Sequence, residues 1–187
     1  MGIDQLSIKL EDAKRIVAIP KFKQDELLKV ALVALSTLQL PLVSEAERKQ
    51  IECKHRRLAF LGDRLLDAVL ADYLFATYPK LTNKDLDDWR QELTSRESLS
   101  EFAIELDLPS ICSSWNRKDR KPPEEEPSVY GEMFEALVAV VYIDSDRSFE
   151  KLSKWLRDRV LDKAIAEFDR CRRLLLLDGA KMPTIRI

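Results

Sequence analysis

Residues 57–77 read RLAFLGDRLLDAVLADYLFAT. The stretch is apolar nearly all round, and a helix of that character belongs at the centre of a domain rather than on its flank. Pro79 closes it. Prolines 20, 41, 79, 109, 122, 123, 127 and 183 fall between periodic segments and punctuate helices. Upstream, Asp25–Leu38 places Leu27, Leu28, Ala31, Leu32, Leu35 and Leu38 at helical spacing, while Val43–Lys54 is polar and reads as loop or frayed helix. Downstream, Asn83–Leu93 and Ser95–Leu106 read as helices, the second opened by the capping-box spacing of Thr94 and Glu97. Charged, proline-rich Asn116–Pro127 could not pack in a core without stranding its charges, so it is expected on the surface. Ser128 is the expected N-cap of a helix running to Asp144, although Leu137–Ile143 alone could pass for a buried strand. Asp146–Asp169 is amphipathic and helical, and a tail beyond Leu177 is expected to unwind. The segments read as helices of one domain, with no internal repeat.

The composition narrows the function classes. With 45% hydrophobic and 34% charged residues but only four Gly and eight Pro in 187 residues, the chain is globular and not disordered or collagenous. The net charge of −2 provides no global positive field, so any nucleic-acid contact must use local patches. Cys53, Cys112 and Cys171 lack metal-type spacing and do not suggest a disulfide framework. One histidine, His55, is too few for a Cys/His zinc site. The first residues lack a signal peptide's apolar core, and no apolar run approaches the roughly 18 residues of a membrane span. A cytoplasmic, reducing location is expected, with an organelle not excluded and no membrane partner.

Two of the most apolar segments carry carboxylates that do not belong in a core. Asp63 and Asp67 stand one turn apart, and Glu132 and Glu135 three residues apart, so each pair shares a helix face. Burying such groups demands cations, neutralisation or a cleft. Facing helices that project acids inward form a known type of metal site, and oxygen ligands suit magnesium or manganese. The plainer alternative is structural salt bridges to Arg57, Arg64 or Arg90. Gly62 precedes Asp63 and Gly131 precedes Glu132, and glycine inside a helix costs about 1 kcal/mol unless close approach repays it.

Arg57-Leu58-Ala59-Phe60-Leu61-Gly62-Asp63, continuing through Leu65, Leu66 and Ala71 to Tyr73-Leu74-Phe75, resembles the signature helix of the ribonuclease III family, whose usual form reads ERLEFLGD. Glu132-Met133-Phe134-Glu135-Ala136-Leu137-Val138 with Tyr142-Ile143-Asp144 is similar to the family's DxFEAxxGAxYLD helix. The two motifs stand in order about 70 residues apart, and the resemblance runs from about Pro20 to Phe168, which implies a helical bundle over residues 20–168 with an extension at 1–19 and a tail at 169–187. It implies an all-α endonuclease domain that dimerises, lays double-stranded RNA across a shared valley and cuts at magnesium (or manganese) sites. Phe60 stands where the family plugs an aromatic into the partner subunit, and is assigned by resemblance to the dimer interface, the alternative being a core aromatic.

Of the four family carboxylates, Asp63 and Glu135 match and are the expected catalytic pair. Glu132 replaces an Asp and completes the expected metal set Asp63, Glu132 and Glu135. Ala59 replaces a Glu, and Arg56 stands at a further acidic position. One ligand fewer and one cation more weaken divalent binding. Asp67 extends the face away from Ala59 and is a poor substitute.

Phosphate contacts are expected from Lys54, Arg56 and Arg57 and from Arg117, Lys118, Arg120 and Lys121, with Arg170, Arg172 and Arg173 read rather as a solvated face. His55 belongs to the first basic run as a surface residue. With no RNA-binding module expected after Leu177, affinity would rest on the dimer's valley. Three readings follow. The first is a ribonuclease III-like protein acting on double-stranded RNA as a homodimer, or as a heterodimer with a paralogue, its hydrolysis impaired. The second is a catalytically silent RNA-binding or scaffold subunit on ribosomal or other structured RNA, and the third a plain helical dimerisation module.

Overall fold

A computed structural model describes residues 6–39, 43–114, 117, 118 and 121–178, with side chains described through Arg170. The described residues are helical with no strand. The helices are α1 (Leu10–Val17), α2 (Asp25–Ala31), α3 (Glu45–Thr77), α4 (Asn83–Leu93), α5 (Arg96–Glu105), α6 (Pro127–Asp144), α7 (Phe149–Leu156) and α8 (Asp162–Asp178). A π-helical turn over Arg157–Leu161 joins the last two. No helix among the described residues is long and apolar enough to cross a membrane.

α6 is the axis of the bundle. From Met133 to Val141 every residue but Glu135 is buried, and α3 and α5 pack most extensively against it. The segment Leu137–Ile143 is thus helical and not a strand, because partners cover it on several sides. α6 opens on Pro127, whose fixed φ and missing N–H suit the first helical position, so Ser128 is not its N-cap.

α3 begins at Glu45, well before the expected start. Ser44 accepts the N–H of Glu47 and the Glu47 carboxylate answers the Ser44 N–H, a complete capping box. The stretch read as loop or frayed helix is therefore ordered, and its Ile51 packs with Leu6, Val33 and Leu38 in a small second core. α5 is capped by Ser95, whose extended backbone lets its side chain accept the Ser98 N–H at 3.2 Å, while Thr94 ends α4 and donates its hydroxyl to Arg90 O at 3.0 Å.

The helix expected over Asp25–Leu38 stops at Ala31. Its continuation is diverted by the loop at 111–114: Ser113 N–H donates to Leu32 O at 3.0 Å and Ala34 N–H to Ser113 Oγ at 2.8 Å. A 3₁₀ turn over Leu35–Gln39 follows. The single helix expected over Asp146–Asp169 is likewise divided into α7, the π turn and α8. Within the stretch set apart as 1–19, Ala13 and Val17 of α1 lie in the main core, and Trp155 Nε1 donates to Val17 O at 2.7 Å.

Candidate active site

The site is built by one close approach. A Cβ on Gly62 would lie 1.7 Å from the carbonyl oxygen of Glu135, so α3 and α6 meet backbone to backbone at this point. Glycine is the residue that allows it. Gly131 is different, since a Cβ there would sit 3.4 Å from Leu99 Cβ, an ordinary contact. Only the first glycine is required by the crossing, a distinction that the sequence did not make.

The crossing brings the acids of two helices into one field. Glu135 is half-buried, and its carboxyl is pushed up to about 7, first by burial and then by the negative charges of Asp63, Glu132 and, more weakly, Asp67. Arg64 opposes the shift. Glu132 is exposed and Asp63 half-buried. Asp63 does not stand free, for Arg64 Nη2 lies 2.8 Å from its Oδ2. Asp67 is held at 2.7 Å by Arg90 and at 3.4 Å by Arg64, so of the expected basic partners Arg64 and Arg90 are both engaged. Asp67 is thus spent in an ion-pair network and does not replace the missing acid. Ala59 is buried one turn before Asp63.

The donor set does not fit a ready-made metal centre. Among the described residues no three His, Cys, Asp or Glu side chains stand close enough together for one ion. Asp63 and Glu132 each repel Glu135 through space without forming a cage, and an arginine takes one carboxylate.

His55 is a correction. It is 1% exposed, and its Nδ1 lies 2.9 Å from Val30 O, so the ring donates to the end of α2 and is no surface group. Burial outweighs that bond and the nearby Glu132 and holds its pKa below the ordinary value. The remaining basic residues of the first cluster are exposed: Lys54, Arg56, whose guanidinium pairs with Glu52 at 2.8 Å, and Arg57. In the second cluster Lys118 and Lys121 are exposed and Arg117 half-buried, while Arg120 lies outside the described residues. Arg170 pairs with Glu167, and the side chains of Arg172 and Arg173 lie outside the described set.

Two features escaped the sequence reading. Asp144 is buried and accepts the backbone N–H groups of Lys23 at 2.7 Å and Gln24 at 3.1 Å, tying the entry of α2 to the end of α6. A carboxylate closing an apolar helix was the available signal. The other is Phe75, which is 74% exposed; Phe60 is 70% exposed, so neither is a core aromatic.

Residues 56–146 match the Ribonuclease III domain family. A protein named Ribonuclease 3 from Chlorobium luteolum is 26% identical over 140 residues, which cover 75% of this chain and 50% of that protein. Ribonuclease 3 from Pelotomaculum thermopropionicum is 33% identical over 90 residues, covering 48% of this chain and 37% of the relative. The chain thus spans half or less of the length of these relatives. Among solved structures, the nuclease domain of ribonuclease III from Campylobacter jejuni superposes with a TM-score of 0.60 at 23% identity, covering 81% of this chain and 99% of that one. That likeness concerns the fold.

Proposed function

Since residues 56–146 are a ribonuclease III domain, we propose that this chain acts on double-stranded RNA as a dimer, with metal-assisted phosphodiester hydrolysis weakened or lost. The observation that carries the reading is the Gly62–Glu135 crossing, which gathers Asp63, Glu132 and Glu135 while Ala59 and the Asp63–Arg64 pair leave the cluster incomplete. Exposed Lys54, Arg56, Arg57, Lys118 and Lys121 supply phosphate contacts that do not depend on sequence. A-form RNA is recognised by shape, which suits such a surface. Magnesium or manganese, when bound, would stabilise charge developing on oxygen; Asp63, Glu132 and Glu135 are the residues that would contact it, weakly. Phe60 belongs to the dimer interface.

The arginine on Asp63 favours a second reading, a silent RNA-binding subunit of the same fold. Incubation with a long RNA duplex in Mg²⁺ or Mn²⁺ decides between them. Slow cutting abolished by Glu135→Gln supports residual hydrolysis, and faster cutting by an Ala59→Glu, Arg56→Glu variant supports the account of the defect. Duplex retention without cutting in either metal leaves the silent subunit. Failure to retain duplex even at low salt refutes both.

A further inference from the structure

The acid crossing carries a cation of its own. Arg64 follows Asp63 on α3, and its guanidinium folds back over the carboxylates, with Nη2 2.8 Å from Asp63 Oδ2 and Nη1 3.4 Å from Asp67 Oδ2. Asp67 is fixed in turn from α4, where Arg90 donates from Nη1 to it at 2.7 Å and from Nη2 to Asp87 at 2.7 Å. One guanidinium is thereby pinned beside the converging acids. Its side chain is nevertheless 64% exposed, so part of a fork with five N–H donors still faces solvent. The same face continues toward the start of α3: at 100° per residue Arg56, Ala59, Asp63 and Asp67 fall within about 80° of the helix circumference. Arg56 repeats the arrangement, tied to Glu52 at 2.8 Å and 65% exposed. Between the two arginines stands Ala59, which brings no charge.

We propose that Arg64, with Arg56, receives phosphates of an RNA strand at the crossing, so that this face holds a duplex through fixed guanidinium charge rather than through a divalent ion. The inference rests on the RNA reading above and adds how the backbone is met where the acids converge. A metal ion entering here must first displace the guanidinium from Asp63, whereas a phosphate adds to it. Arginine keeps its charge at any working pH and matches phosphate oxygens two at a time. Because carboxylates already hold both side chains, less rotamer freedom is left to lose on contact. Exposed Glu132 repels a phosphate on the α6 side, which places the contact toward α4, by Arg64. Exposed Lys54 and Arg57 prolong the positive edge along α3, so the occupant is a polyanion, for a single small anion would leave them unused.

The test measures binding of a labelled RNA duplex by the full chain, in excess EDTA and in Mg²⁺ at matched ionic strength. The parent should bind equally in the two. Arg64→Ala should weaken binding in EDTA about ten-fold, as loss of a charge-assisted contact does, and should lower the slope of log K against log salt by about 1. Arg15→Ala, which removes an exposed arginine paired to Asp12 on α1, should change neither quantity. Thermal melts of both variants should match the parent, because exposed ion pairs contribute little to stability. A folding defect then does not explain the loss. Duplex that the parent binds only with Mg²⁺, or an Arg64→Ala protein that binds like Arg15→Ala, overturns the metal-free seat and leaves the RNA reading in place. A parent that retains no duplex at low salt in either buffer overturns both.

Discussion

Gly62→Ala probes the crossing on which the site depends. The added methyl would sit 1.7 Å from Glu135 O and 2.6 Å from its carbonyl carbon. Both are backbone atoms in the middle of α6, so neither can swing aside, and relief requires the helices to separate by roughly 1.5 Å to reach ordinary contact distance. Overpacking of a dense core costs about 1–3 kcal/mol and more where backbone must move. Against it stands about 1 kcal/mol of helix propensity gained by replacing glycine with alanine. The expected net loss is about 2 kcal/mol, a fall in Tm of roughly 4–8 °C for a chain of this size. Gly131→Ala is the matched control: its methyl meets Leu99 Cβ at 3.4 Å, so the propensity gain is retained and stability should hold or rise. Urea and thermal unfolding of the two variants measure the difference. Equal effects, or a Gly62→Ala protein as stable as the parent, would refute the backbone contact and with it the convergence of Asp63 and Glu135.

The remaining expectations concern charge. The Glu135 carboxyl titrates near 7 in the fold against 4.5 unfolded, so the native state holds the extra proton between those values and stability declines as pH rises through that window. Glu135→Gln should therefore stabilise the protein at pH 8, by about 1 kcal/mol once solvent screening of a half-buried group is allowed for, and carboxyl NMR should show the raised titration directly. His55 works in the opposite sense: its pKa is lowered from 6.5, so the unfolded chain takes the proton first and stability falls as pH drops below about 6.5; a His55→Gln chain should lose that acid-side slope in urea titrations. Asp144→Ala removes the acceptor of two backbone N–H groups at the entry of α2 and should cost about 2 kcal/mol, seen as earlier unfolding and faster amide exchange at Lys23 and Gln24. Arg64→Ala releases Asp63 from its ion pair, and calorimetry should find tighter Mg²⁺ binding than in the parent; unchanged affinity would show that the arginine does not compete.

The crowded apolar helix, the two acid pairs and the glycine before each of them were legible because periodicity, charge placement and glycine content are local properties. Ser44 and Glu47 carried their capping box openly in the sequence, and the start of α3 was missed only because the surrounding polarity masked it. His55 shows the opposite case. Among three basic neighbours it reads as surface, yet the helix phase turns it inward to Val30, a fact set by where α2 docks. The early end of α2 has the same origin, since the backbone groups that would have continued it are claimed by Ser113, far along the chain.

By itself the sequence determined that the protein is helical, that its centre is built from two apolar helices and that each of these carries acids, because these follow from side-chain period and the cost of burying charge. Tertiary structure alone decided that Gly62 and not Gly131 is the crossing point, that Asp67 is committed to Arg90, and that Arg64 sits on Asp63. The reason is one of range. Propensity and periodicity act within a few turns of chain, whereas the pairing of one carboxylate with one guanidinium depends on how two helices distant in sequence are brought to cross.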